Sequence, residues 1–166
     1  MTLRACFLIT AFLMASVLSK ESVAQDKEIA VGNVPESIIS AAKDAFPGKI
    51  KQFLTAEKRT MDKKLVHWSL EIKMKDKSVI DAYFNEAGKL LRTGISVKPE
   101  DVPVVVRDAF EKTYKEWHVS ELNKETDSDT KADFYSVDID KDGKKLELDF
   151  SPDGKIVKVL ELKDEE

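Results

Sequence analysis

One heptad is written twice. Phe84-Asn85-Glu86-Ala87-Gly88-Lys89-Leu90 and Phe150-Ser151-Pro152-Asp153-Gly154-Lys155-Ile156 share the pattern F-x-x-x-G-K-[L/I]. An apolar run leads into each copy and another leads out, with glycine at the bend. That is the signature of a β-hairpin whose turn needs a residue free to take positive φ. The segments upstream recur as well. [K/R]-D-A-F stands at Lys43–Phe46 and again at Arg107–Phe110, and Val-Pro stands at Val34-Pro35 and Val102-Pro103. The chain therefore reads as a tandem duplication.

Within each copy the periodicity changes once, from helical to alternating. Val34-Pro35-Glu36 opens the first helix, because proline in the first turn gives up no intrahelical bond and Glu36 favours the positive end of the dipole. Ile38, Ala42, Ala45 and Phe46 fall on one stripe, and Pro47-Gly48 ends it. In the second copy Val106, Ala109, Phe110, Thr113 and Trp117 form the stripe. Pro103 does not suit a helix interior, so a start near Asp101 is expected, with about one more turn for want of a Pro-Gly stop.

Four strand-like runs follow each helix: 50–58, 65–73, 79–84 and 89–96, then 118–124, 134–140, 144–150 and 156–162. Trp68-x-Leu70-x-Ile72 matches Tyr135-x-Val137-x-Ile139, apolar on one side and polar on the other. The expected fold is α+β, a tandem repeat of a helix followed by a four-stranded antiparallel meander, with the helices on one face of the sheet. The first unit spans 34–96 and the second 97–166.

The N-terminus reads as an address. Arg4 precedes an apolar run from Ala5 to Leu18, and Ser22-Val23-Ala24 offers a small-x-small cleavage site. Residues 1–24 are thus expected to be a signal peptide, with 25–33 a flexible leader, which places the protein in the periplasm or outside the cell. The run is shorter than the ~20 residues that spanning needs, so no stable membrane insertion is expected. Cleavage would remove Cys6, the one cysteine, and with it any disulfide. A net charge of −4, spread along the chain, gives no footprint for nucleic acid.

Val-Pro opening a helix, an aromatic residue on the second strand and the F-x-x-x-G-K-[L/I] hairpin together resemble the PepSY-like family, also called β-lactamase-inhibitor-protein-like. The resemblance covers nearly all of the chain beyond residue 24, in two copies. It implies secreted bacterial proteins with helices on one side of a sheet and a binding or inhibitory role in place of catalysis. It carries no catalytic residues over.

The residues themselves offer no catalytic motif. His67 and His118 lack the spacing of a zinc site, and no nucleophile elbow or phosphate loop occurs, so both histidines are expected to be solvated and no enzyme is expected. Asp138-x-Asp140-x-Asp142-Gly143, with Asp149 at the twelfth place, superficially matches a calcium loop. Its alternating flanks, Lys144 and Lys145, and Asp in place of Glu favour an Asp-Gly hairpin turn instead. No metal and no cofactor are expected, and the Asp127, Asp129 and Asp133 group reads as a solvated loop.

What remains is the sheet face away from the helices. Val79, Tyr83, Phe134, Val157 and Val159 are expected there, either as a docking surface for a protein or peptide or covered by the leader, the linker or the other unit. The functional expectation is a secreted, non-catalytic binding or inhibitor-like module. The competing readings are a calcium-dependent envelope protein and an enzyme.

Overall fold

The computed structural model describes residues 23–61 and 64–164. Among these described residues, nine strands and two helices follow one another as β1 (Val23–Glu28), α1 (Glu36–Ala45), β2 (Ile50–Met61), β3 (Lys64–Met74), β4 (Val79–Phe84), β5 (Leu90–Ser96), α2 (Val104–Tyr114), β6 (His118–Asp127), β7 (Asp133–Lys141), β8 (Lys144–Phe150) and β9 (Ile156–Asp164). Short 3₁₀ turns precede both helices, at Val31–Asn33 and Pro99–Asp101.

The strands form one closed barrel in sequence order, β1 to β9. This corrects the expected α+β tandem repeat. β5 pairs antiparallel with β6, Ile95 opposite Lys124, so the two halves share a single continuous sheet. β1 then closes the seam, antiparallel to β2 and parallel to β9, with Ala24 opposite both Met61 and Leu162. Closure satisfies the edge groups that two separate meanders would leave unpaired.

β1 also corrects the flexible leader, since residues 25–28 all pair with β2, and Gln25 and Asp26 pair with β9 as well. The stretch Gln25–Glu28 has no apolar alternation to announce a strand. It is held by backbone bonds and by Asp26, which meets Arg59 of β2. Apart from Val23 and Ala24, the expected signal peptide lies outside the described residues.

Both helices pack on the outside of the barrel. Ile38 and Ala42 of α1 lie with Leu70, Ile72, Ala82 and Phe84, all fully buried. Val106 of α2 lies with Val137, Ile139, Leu148 and Phe150. Trp68 stands opposite Phe84 in the ladder, and Tyr135 opposite Phe150. α2 begins at Val104 rather than near Asp101, because Pro103 caps it in an extended conformation at ψ 140°. It has 11 residues against 10 in α1, one more rather than a whole turn.

The repeated heptads form turns with the same bonds. Gly88 N donates to Asn85 O at 2.9 Å and Asn85 N to Lys89 O at 3.0 Å; Gly154 N donates to Ser151 O at 2.8 Å and Ser151 N to Lys155 O at 2.9 Å. Both glycines have positive φ, 80° and 83°. They also let each turn press onto its helix. A Cβ on Gly88 would lie 3.2 Å from the Ala41 Cβ, and one on Gly154 only 2.6 Å from the Val105 carbonyl oxygen.

Gly154→Ala is therefore expected to destabilise the protein by about 1–3 kcal/mol, and by more than Gly88→Ala. The obstacle at Gly154 is helix backbone, which cannot swing aside, whereas at Gly88 it is a methyl group. Urea denaturation of both variants checks this. Equal losses would mean that the φ penalty alone sets the cost.

Candidate functional site

Side chains alternate across each strand, so whatever does not face a helix faces the barrel interior. On β3 the inward set is His67, Ser69 and Glu71. On β4 it is Asp81 and Tyr83, on β6 Glu121, Asn123 and Glu125, and on β8 Lys145 and Glu147. The interior encloses a partly open cavity of about 730 Å³. Nine carboxylate side chains line it against three permanent cations, Arg59, Lys145 and Lys163.

A network of ion pairs fills part of the interior. Arg59 donates from Nε and Nη2 to the two Asp26 oxygens, each at 2.6 Å, and from Nη1 to Glu147 Oε2. Lys158 reaches Glu147 Oε1 at 2.5 Å and Asp149 Oδ2 at 3.6 Å. Burial would raise the Glu147 pKa, but Arg59 and Lys158 outweigh it and hold the carboxyl at about 2. Beside them His67 meets the Tyr83 ring edge-on at 5.2 Å, and Arg92 lies 4.2 Å above that ring and 5.8 Å from Phe134. Burial, then the charges of Arg59 and Arg92, push the His67 pKa down to about 3, so it stays neutral.

Elsewhere the walls carry acceptors with few cations among them. Glu71, Asp81, Gly94 and Glu125 stand opposite one another in turn across β3, β4, β5 and β6. Burial first, then Glu121, Glu71 and Glu57, raise the Asp81 pKa to about 7. Burial first, then Glu147 and Glu121, lift Asp138 to about 8. Glu125 is lifted by burial to about 7 against the pull of Arg92. Its Oε2 is 2.9 Å from Arg92 Nε yet outside hydrogen-bond geometry. Asn123 donates from Nδ2 to Glu121 Oε1 at 2.7 Å, and its own Oδ1 is buried without a partner, as is Asp149 Oδ1.

The five residues expected on one open face are divided between two places. Tyr83 is 9% exposed, held between His67 and Arg92, and Phe134 is half-buried in the same interior. Val79 is exposed and lines the cavity. Val157 and Val159 are 63% and 45% exposed on the outside of β9, since Lys158, Leu160 and Leu162 take the inward positions. The helix-free face is thus the inside of the barrel, and β9 shows its valines to the other side.

The histidines also separate. His67 does point away from the helix-packed core, but it is 6% exposed in the interior instead of solvated. His118 is open to solvent, its Nδ1 2.9 Å from Asp140 Oδ2. The segment that mimicked a calcium loop is a hairpin, with Asp142 and Gly143 at φ 51° and 79° between β7 and β8. Asp138 and Asp140 line the cavity while Asp142 sits at the turn. Among the described residues no group of three or more His, Cys, Asp or Glu side chains is placed to share a metal ion. Asp127 caps its loop through Thr130 N and Asp129 N, and Asp129 and Asp133 pair with Lys89 and Lys124.

The interior carboxylates were missed because an alternating strand says only that its two faces differ. One signal was present. Glu57, Glu71, Asp81, Glu121, Glu125, Asp138, Glu147 and Asp149 all occupy the inward set, a run of acids more uniform than a solvated face needs.

At the level of sequence, no protein-family model and no curated protein matches this chain, so the PepSY-like part of the resemblance has no support there. Solved structures do match. A DUF2874 family protein from Bacteroides uniformis superposes with a TM-score of 0.54 at 15% identity, covering 76% of this chain and 88% of that one. A candidate periplasmic protein from Bacteroides eggerthii gives the same values. A BLIP-like protein from Bacteroides fragilis gives 0.51 at 20% identity, over 76% and 84% of the two chains. At these identities the likeness is one of architecture, and it is a likeness to a BLIP-like fold.

Proposed function

We propose that this chain is a non-catalytic binding module of the bacterial envelope that takes its ligand into the barrel interior. The observation that carries the reading is the cavity of about 730 Å³, a size suited to a small molecule or a few inserted side chains, walled by rigid strands and lined by unpaired acceptors. The Arg59 network supports a structural rather than a reactive role for the buried charges, since it ties β1, β2 and β8 together. The envelope address is supported by the signal-like N-terminus and by the likeness to a candidate periplasmic protein.

A second reading rests on β9. Val157 and Val159 stand side by side on its outer surface, and a BLIP-like protein is among the structural neighbours. Both features support a protein partner docking there.

Equilibrium dialysis against a low-molecular-mass envelope extract, followed by mass spectrometry, separates the two. The wild type is expected to retain at least one compound that Ser96→Trp, at the exposed rim of the cavity, does not. Equal retention by both proteins, or none by either, would sink the interior-binding reading.

A further inference from the structure

We propose that the acidic part of the barrel interior is a site for an organic cation, a primary ammonium or guanidinium group carried on a flexible chain. The proposal rests on the interior-binding reading above and names the chemistry of its ligand.

The first observation is an unpaired acceptor. Asn123 lies in the cavity wall at 4% exposure, and its Nδ2 is committed to Glu121, so its partnerless Oδ1 can only accept a hydrogen bond. An unsatisfied buried acceptor is costly, so a ligand donor that reaches it is favoured. The second is proximity. Asp81 and Glu125 flank Gly94, where a Cβ would lie 3.3 Å from Glu125 Cγ and 3.7 Å from Asp81 Cβ. Gly94 has no positive φ, and its lack of a side chain lets the Asp81 and Glu125 side chains come together over it. The third is charge. Those that bear on Asp81 are Glu121, Glu71 and Glu57, all negative.

The interior already shows what such walls bind. Arg59 lies between Asp26 and Glu147, and Arg92 lies against Glu125 and the Tyr83 face. Among the described residues the charges that bear on Asp81 are all acidic, and there a ligand supplies the cation. Lys145 and Lys163 stand on β8 and β9, across the ring of strands from Glu71 and Asp81 on β3 and β4. An anion is repelled by these walls, and a neutral molecule leaves the carboxylates unmatched. A divalent metal needs several oxygens converging on one point, and the described residues offer no such group. An ammonium or guanidinium distributes three to five N–H donors and so suits separated acceptors.

Isothermal titration with 1,4-diaminobutane tests this, with 1,4-butanediol as the neutral match and CaCl₂ as the metal alone. The diamine is expected to bind at one equivalent, the diol not at all. Asp81→Asn combined with Glu121→Gln should weaken the diamine at least tenfold, while Asp153→Asn, on an exposed turn, should not. Thermal melting verifies that the variants are folded, and Asp81→Asn alone serves if the pair is not. Diol binding equal to the diamine and abolished by Ser96→Trp would overturn the cation inference and leave interior binding standing. Tighter binding of Ca²⁺, lost in Asp81→Asn, would overturn it in favour of a metal. No binding of any probe would overturn it outright.

Discussion

Arg59→Met is expected to lower the stability of the barrel by about 3–5 kcal/mol, the cost of leaving a buried charge without its partner. Arg59 is 8% exposed and Glu147 2% exposed, and they sit on β2 and β8, far apart in sequence but close to the seam that β1 closes. Without the guanidinium, Glu147 keeps Lys158 and the weaker pull of Arg92, and burial then drives its carboxyl toward protonation. Asp26 is less affected, because its side chain is 27% exposed and can rehydrate. A second variant isolates the cause. Arg59→Met with Glu147→Leu replaces the pair by apolar groups of similar bulk and should recover most of the loss. Urea denaturation of the wild type, the single and the double variant decides it. A single variant as stable as the wild type would mean that the network contributes nothing to closure.

That network also marks the limit of what the sequence discloses. The strand limits of β4 and β8 follow directly from the alternation of Ile80, Ala82 and Phe84 and of Leu146, Leu148 and Phe150. α1 follows from Ile38 and Ala42 and from its Pro-Gly stop. These are local patterns, and each is set by which residues avoid water. Closure is not local. Arg59 and Glu147 are 88 residues apart, and no spacing rule connects them. β1 has no apolar period, so nothing in Gln25–Glu28 distinguishes a seam strand from a leader. Alternation sets Tyr83 and Phe134 on the strand faces turned from the helices, but period 2 cannot say whether that face meets solvent or its own far wall. The acidic site depended on that missing distinction.

The same buried acids predict an unusual pH response: stability should fall between about pH 5 and about pH 8. Asp138, Asp81 and Glu125 have folded pKa values raised to about 8, 7 and 7 from ordinary values of 3.8, 3.8 and 4.5. Within that window the native state holds protons that the unfolded chain has lost. Stability therefore decreases as pH rises from the unfolded values through the folded ones. Two groups act the other way. His67, lowered to about 3, makes the protein less stable as pH falls below 6.5, because only the unfolded chain takes the proton there. Glu147, at about 2, contributes stability above 4.5 that is lost only in stronger acid. Three carboxyls outweigh one histidine up to about pH 6.5, and beyond it they act unopposed. Each proton is worth about 1.4 kcal/mol per pH unit, and the partly open cavity hydrates these groups enough to bring the net loss to ~2–4 kcal/mol. Denaturation midpoints at about pH 5, 6.5 and 8 measure it, and Asp138→Asn should flatten the slope by removing the group with the highest pKa. A stability that climbs from about pH 5 to 8 would mean that the interior carboxyls are ordinary hydrated acids. A cation bound beside Asp81 would itself flatten the slope, by holding that carboxyl ionised in the native state.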